Sequence, residues 1–142
     1  FKLQGEYFRV SQNGRLTYDD SAGSGLFGAL SDAYASRQSG WYLQGVYQFM
    51  PQWRVGYRHD RLNFGTLNNS LVLNGAGPSA ADFPLLAPYS PARNTLMFDW
   101  NPTEFSRIRL QFAADKSRLG VPDNQVLVQY LYSLGAHGAH RF

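Results

Sequence analysis

The chain has 142 residues, of which 44% are hydrophobic and 15% aromatic, and it carries a formal net charge of +3. This composition suffices for one folded domain, which we expect to span residues 1–142, and it excludes a disordered tail. The absence of cysteine excludes disulfides, thiolate metal sites and cysteine nucleophiles. The basic residues are scattered between aromatic ones instead of forming a block, which argues against nucleic acid as a partner.

A membrane crossing by this chain would have to use strands. No run approaches the roughly 18 consecutive apolar residues of a membrane helix. Strands of alternating polarity give a much weaker signal, so the mean hydropathy of -0.36 does not exclude a membrane protein. Because the chain begins at Phe1 without a Met or a charged and then apolar leader, we expect a signal peptide to be removed or to lie outside this stretch. We also expect this stretch to be a piece of a longer protein.

The first third of the chain predicts a hairpin and a loop. Residues 1–10 alternate between two faces, one of which carries charges, and this pattern is typical of a strand. Asn13-Gly14 favours the positive φ angles of a tight hairpin, with residues 15–18 as a short return arm. Residues 19–33 are rich in Gly, Ser and Asp and predict a long exposed loop.

Two strands are predicted around a minimal turn at Pro51-Gln52. Residues 34–50 place one aromatic-rich face outward, and the strand that follows alternates in the same way. Aromatic residues therefore flank the turn on both sides, as at a membrane interface. The outward positions are Trp41, Leu43, Gly45, Tyr47 and Phe49 before the turn and Trp53, Val55 and Tyr57 after it.

The second half predicts three more strands. Residues 63–93 hold four prolines and no clear periodicity, which is unusual in a compact soluble domain but is expected of an extracellular barrel loop. Residues 95–100 form a strand, residues 101–104 a short turn and residues 107–115 another strand. A loop through Gly120 and Pro122 leads to the last strand.

The last strand is the most regular. Its even positions from Val126 to Ala136 are aliphatic or aromatic, whereas its odd positions are mixed. A run of about ten such residues fits a tilted membrane-spanning strand.

The residues Tyr130, Tyr132, Leu134 and the terminal Phe142 resemble the assembly signal of Gram-negative outer-membrane β-barrels. Residues 133–140, together with residues 41–60, are similar to porin-like proteins labelled as phosphate-selective porins or zinc-regulated outer-membrane receptors. The resemblance implies a bacterial outer-membrane location. It also implies outer-membrane lipid, lipopolysaccharide, the barrel assembly machinery and further copies of the chain as partners.

The expected fold is all-β, an antiparallel transmembrane β-barrel with about six spanning strands in this stretch. Short turns at Pro51 and Asn101 lie on one side, which would be periplasmic, and the long connections lie on the other. Six strands are too few, because lipid permits no open sheet edge and single-chain bacterial barrels begin at about eight strands. Strands before Phe1, strands within residues 13–37, or several chains sharing one barrel would complete it, and we favour the first.

Charged residues on the inward faces are the predicted pore lining. Four arginines would bias passage toward anions. Alternatively, the arginines pair with the aspartates in a polar wall. The predicted lining residues are Glu6, Arg54, Arg58, Asp60, Asp99, Arg107, Arg109 and Asp115.

The sequence supports a metal site or a catalytic site less well than it supports a pore. His137 and His140 are three residues apart and face opposite sides of a strand, so they chelate one ion only if the terminus leaves the strand. Asp19-Asp20 and Asp32 lack the spacing of a calcium loop. We expect no metal, no cofactor and no enzyme, because Gly-x-Ser-x-Gly and phosphate-loop motifs are absent. A His59, Asp60 and serine constellation is the remaining catalytic alternative.

The sequence therefore predicts a porin-like channel for the diffusion of small hydrophilic solutes, with a leaning toward anions. One alternative is a non-conducting structural or receptor barrel whose long loops bind a partner. Another is a soluble all-β ligand binder, whose core would be the face described above as lipid-facing.

Overall fold

A computed structural model describes residues 1–19, 29–71, 81, 83–119 and 121–134. The described part of the chain has no helix with the length and apolar character needed to cross a bilayer. The elements in order are β1 (Lys2–Asp19), β2 (Ala29–Met50), β3 (Trp53–Asn69), a 3-10 helix (Pro84–Leu86), β4 (Ala92–Thr103), β5 (Ser106–Arg118) and β6 (Val121–Tyr132).

The six strands form one antiparallel sheet in which every strand pairs with its neighbours in sequence. β1 and β6 are its two edges, so the described residues form an open sheet. The predicted number of strands and the all-β antiparallel class are confirmed. Sequential antiparallel pairing requires only connections between adjacent strands, and this is the up-and-down arrangement.

Contacts divide the chain into two compact units, and β1, β2 and β3 contribute residues to both. The first unit comprises Phe1–Glu6, Tyr42–Asp60 and Ala92–Phe142, and the second comprises Tyr7–Trp41 and Arg61–Pro91.

In the first unit, β4 shows the alternation of faces most clearly. Its residues from Asn94 to Trp100 are alternately exposed and buried. The large exposed side chains are Leu96, Phe98 and Trp100, whereas Thr95, Met97 and Asp99 are buried. The two faces that the sequence predicts are thus confirmed in this strand.

In the second unit, Gly65 permits a close approach between two strands. Its φ is +70°, the left-handed region that favours glycine. A Cβ added to Gly65 would meet the backbone oxygen of Arg37. A side chain at this position would therefore force β2 and β3 apart.

The predicted hairpin at Asn13-Gly14 is wrong, because β1 continues through both residues. A type I′ turn needs positive φ at both central residues, and Gly14 is not among the glycines with positive φ. Its α-carbon faces the ring of Tyr34. Pairing with β2 therefore overrides the local turn preference.

Several predicted boundaries are also wrong. β2 begins at Ala29, inside the predicted loop of residues 19–33, whose residues 20–28 lie outside the described part. β3 continues to Asn69, so the second long connection starts later than predicted. Glycine and asparagine, which read as loop residues, are tolerated in a strand that is paired on both sides.

The last hairpins also differ from the prediction. The turn between β4 and β5 is at Glu104-Phe105, because Asn101, Pro102 and Thr103 complete β4. β6 begins at Val121 and ends at Tyr132, so Asp123 belongs to the strand and not to a loop. The predicted continuation of this strand to residue 136 is wrong for residues 133–134, and residues 135–142 lie outside the described part.

Candidate functional site

The candidate site is the four-stranded part of the first unit formed by β3, β4, β5 and β6. In the pairing of β4, β5 and β6, Leu96 lies opposite Phe112 and Phe112 lies opposite Val126. The register between β3 and β4 follows from contacts between opposite residues. Asn101 donates its backbone N–H to Gln52 O at 2.8 Å, and His59 Nδ1 lies 2.7 Å from Asn94 Oδ1.

This register arranges one face of the four strands in rows. We call it the apolar face, because three successive rows contain only aliphatic and aromatic residues. Large side chains on it are exposed, Val128 to 74% and Tyr130 to 65%. From the turn end onward, the rows are Trp53, Trp100, Ile108 and Tyr130; Val55, Phe98, Leu110 and Val128; and Tyr57, Leu96, Phe112 and Val126.

Three of the four residues in the row nearest the short turns are aromatic. The rings of Trp53 and Trp100 stack with centroids 5.6 Å apart and an interplanar angle of 15°. Phe98 lies 5.2 Å from Trp53 and 5.9 Å from Phe49. The predicted cluster of aromatic residues beside the Pro51 turn is therefore present, and residues of this type are enriched at membrane interfaces.

The far end of the apolar face is polar. The next row there is His59, Asn94, Ala114 and Asn124, which we call the boundary row. The apolar face thus changes to polar within one step of two residues.

The opposite face, which we call the polar face, holds an aspartate between arginines. Arg109 donates from Nε to Asp99 Oδ1 at 2.6 Å and from Nη2 to Oδ2 at 2.8 Å. The register places Arg54 opposite Asp99 on the other side. Arg107 lies two residues before Arg109 on the same face, and its Nε is buried without a hydrogen-bond partner among the described residues. Three arginines and one aspartate leave this basic end with a net charge of +2.

The other end of the polar face is acidic. Arg58 donates to Asp60 at 2.8 Å from Nε and stacks over the Tyr42 ring, with its Cζ 3.8 Å from the centroid. Arg93 Nη1 lies 3.8 Å from Asp115 Oδ2. Asp123 is directly opposite Asp115. Three aspartates and two arginines leave this acidic end with a net charge of -1.

The structure brings most predicted lining residues onto the polar face. Those in the four strands are Arg54, Arg58, Asp60, Asp99, Arg107, Arg109 and Asp115; Glu6 is an exposed residue of β1. Two of the anticipated ion pairs are present, Arg58 with Asp60 and Arg109 with Asp99.

Sequence reasoning missed two charged residues of the polar face, Arg93 and Asp123, because both were assigned to loops. Arg93 pairs with Asp115, and its Nη2 donates to Gln125 Oε1 at 3.3 Å. Gln125 in turn donates to Asp123 Oδ2 at 2.8 Å. Extending the two-residue period of β4 and β6 by one step would have placed both charges inward.

Two of the four predicted assembly residues, Tyr130 and Tyr132, lie at the end of β6. The rings of Tyr130 and Tyr132 are 6.5 Å apart and nearly parallel, and Tyr132 is opposite Ser106. Leu134 follows the strand and is 88% exposed. Phe142, like His137 and His140, lies outside the described residues. Elsewhere in the chain, the described residues contain no group of three potential metal ligands.

No family model matches the chain, and no solved structure matches it. The chain is similar to an uncharacterized protein of Aquifex aeolicus (strain VF5), with 33% identity over 146 residues. The alignment covers 99% of this chain and 26% of the relative, so the chain spans about a quarter of that protein's length.

Proposed function

We propose that the chain is part of a porin-like β-barrel of the bacterial outer membrane, through which small hydrophilic solutes diffuse. The observation that carries this proposal is the polarity of the two sheet faces. Eight of the twelve side chains in the three apolar rows are exposed and the other four are half-buried, while the polar face holds Asp99, which is 4% exposed and paired with Arg109. A sheet in water has the reverse arrangement, whereas a barrel in lipid has apolar residues outside and polar residues inside.

The apolar face covers about half of the band that this proposal requires. From Trp53 to Tyr57, its three apolar rows extend four residues, which is about 13 Å along the strand. Outer-membrane barrels carry an apolar band of about 25 Å with aromatic residues at its edges. The stack of Trp53 and Trp100 supplies the aromatic edge on the side of the short turns.

A complete barrel needs more strands than the six described. Lipid cannot hydrogen-bond to the free edges of β1 and β6, so in this proposal further strands cover both edges. The relative is about four times as long as the aligned part, which leaves room in that protein for such strands.

The polar face would then line the path of the solute. The ion pairs of Arg58 with Asp60 and Arg109 with Asp99 reduce the number of uncompensated charges. The basic end retains a net charge of +2, which would favour anions near the short turns. The preference is expected to be modest, because the acidic end opposes it and salt screens charges within about 8–10 Å.

Electrical recording tests the proposal. The purified native protein, extracted in detergent and added to a planar bilayer, should give steady single-channel currents. A protein that inserts into liposomes but stays electrically silent would instead be the non-conducting structural or receptor barrel. A protein that stays soluble without detergent and does not bind liposomes would contradict both and favour the soluble ligand binder.

A further inference from the structure

The second unit carries a polar depression on one face of its sheet. The depression has a volume of about 260 Å³, and its lining consists of polar residues from three strands and one apolar residue, Ala35. A water molecule in the liquid occupies about 30 Å³, so this space would hold about nine waters or one sugar ring. The polar residues are Ser11, Asn13, Ser36, Arg37, Thr66 and Asn68.

The pairing of β1 with β2 determines which residues of β1 share the face of the depression. A Cβ added to Gly40 would meet the ring of Phe8. Nine residues further along β1 and nine residues back along β2, Thr17 donates to Ser31 Oγ at 3.2 Å. The equal spacing means that neither strand has an inserted residue in this stretch. Steps of two residues along β1 therefore stay on one face.

A bulge at Gly65 brings the end of β3 to the same face. Asn63 donates to Ser39 Oγ at 3.4 Å, and the backbone N–H of Ser70 donates to the Ala33 oxygen at 3.3 Å. These two contacts are seven residues apart in β3 but six residues apart in β2, so β3 contains one extra residue. Glycine with a positive φ is a usual residue at such a bulge. The bulge shifts the alternation of β3 by one residue, which accounts for its even-numbered residues in the lining.

Two further arginines flank the depression along β1. Arg9 precedes Ser11 by two residues, and Arg15 follows Asn13 by two residues, so both lie on the face of the depression. Both are exposed. The Arg15 guanidinium donates from Nε to Ser31 Oγ at 3.2 Å, which keeps it over the sheet. Six residues of strand separate the two arginines by about 20 Å.

This face carries positive charge that no carboxylate compensates among the described side chains of the second unit. Arg9, Arg15 and Arg37 contribute a charge of +3. Asp32 is an odd number of residues from Arg37 in the same strand, so it lies on the opposite face. Its Oδ1 accepts the backbone N–H of Ala33 at 2.6 Å. Arginine binds a carboxylate through two hydrogen bonds, so the face is complementary to a chain of carboxylates.

We infer that this face binds an acidic polysaccharide built of uronic acid units. One sugar ring would lie in the depression, because hydroxyl and amide side chains both donate to and accept from sugar hydroxyls. Its carboxylate would pair with Arg37, and the carboxylates of neighbouring sugars would reach Arg9 and Arg15. An acyl chain would find only Ala35 as an apolar contact. The inference goes beyond the proposed function, because this binding does not require that the protein conducts.

The test measures binding of a galacturonic acid hexamer to the native protein in detergent by isothermal titration calorimetry. Arg37→Gln should weaken binding about tenfold, the loss expected for one charge-assisted contact. Arg9→Gln with Arg15→Gln should weaken it at least as much, because two such contacts are removed. Asn68→Ala should weaken it about fivefold, since a neutral hydrogen bond contributes less.

The matched control is Lys116→Gln with Arg118→Gln, which removes two exposed cations from the first unit and should leave binding unchanged. Two other ligands, tested with the native protein, do not depend on the folding of any variant. The methyl ester of the hexamer lacks the carboxylates, and a glutamic acid hexamer lacks the sugar hydroxyls. Both should bind about tenfold more weakly or worse. Equal binding of either ligand, an equal loss in the control variant, or no binding of the galacturonic acid hexamer would overturn the inference.

Discussion

Asp99 and Arg109 lie directly opposite each other on β4 and β5 and are joined by two hydrogen bonds of 2.6 and 2.8 Å. This two-point geometry is the strongest form of a carboxylate and guanidinium contact. Arg54 lies on the other side of Asp99, so one carboxylate separates two cations. Asp99 is therefore expected to stabilise the sheet, because its loss leaves two arginines next to each other.

Replacing Asp99 by Asn should lower the free energy of unfolding by about 2–3 kcal/mol. This is below the roughly 3–5 kcal/mol expected for a broken buried ion pair, because the Arg109 side chain is 25% exposed. Urea unfolding in detergent micelles, followed by tryptophan fluorescence, measures the change. A double-mutant cycle with Arg109→Gln isolates the pair, and a coupling energy below about 0.5 kcal/mol would show that the pair contributes nothing measurable.

Replacing Gly65 by Ala should destabilise the second unit. The backbone at Gly65 has φ of +70°, and an added Cβ would collide with the Arg37 backbone oxygen. Strain of this kind costs about 1–3 kcal/mol, which the same unfolding experiment would detect.

The control is Gly45→Ala, whose added Cβ would lie 3.6 Å from the nearest atom of the Phe1 ring. Such a substitution removes flexibility from the unfolded chain and is expected to stabilise the protein by about 0.4–1 kcal/mol. Two glycine-to-alanine substitutions should thus have opposite signs, and equal effects would contradict the close approach at Gly65.

The strand number and the two faces could be predicted because alternation depends only on the local direction of side chains. Leu96, Phe98 and Trp100 are exposed as predicted, and Asp99 lies on the other face of the same strand. The turn at Asn13-Gly14 could not be excluded locally, since the dipeptide favours a hairpin in isolation. Pairing of β1 with β2 keeps these two residues in a strand, and that interaction is not local in sequence.

The partners of the charged residues were beyond the reach of the sequence for a similar reason. The pairs Arg109 with Asp99 and Arg93 with Asp115 depend on the register between β4 and β5. A shift of two residues in that register would keep every side chain on its face and change every partner. The two-residue period of a strand therefore predicts which face a side chain lies on, whereas its partner on the neighbouring strand is known only from the structure.

Replacing Val128 by Arg tests whether the apolar face contacts lipid. Val128 is 74% exposed, so in water the substitution should change stability very little. In a bilayer, an arginine on the lipid face of a barrel costs about 2–4 kcal/mol near the midplane. We expect the larger cost, measured as lower folding yield and stability in liposomes.

Gln125 provides the matched control, because it lies on the polar face of the same strand, opposite Ala113 and at the acidic end. Gln125→Arg adds the same side chain three residues away, next to Asp123, and should fold into liposomes nearly as well as the native protein. If the two arginine variants behave alike, the apolar face does not meet lipid, and the barrel proposal fails.

The basic end of the polar face should determine ion preference if the protein conducts. Arg107→Gln reduces its net charge from +2 to +1, whereas Asp99→Asn raises it to +3. The reversal potential in a salt gradient should therefore shift toward cations in the first variant and toward anions in the second. Lys116→Gln removes one positive charge from an exposed residue near the other end of the same strand, so it should shift the potential much less. Shifts of the same sign in the two polar-face variants would contradict a solute path along this face. Both shifts should become smaller at about 1 M salt, because the screening length is then only about 3 Å.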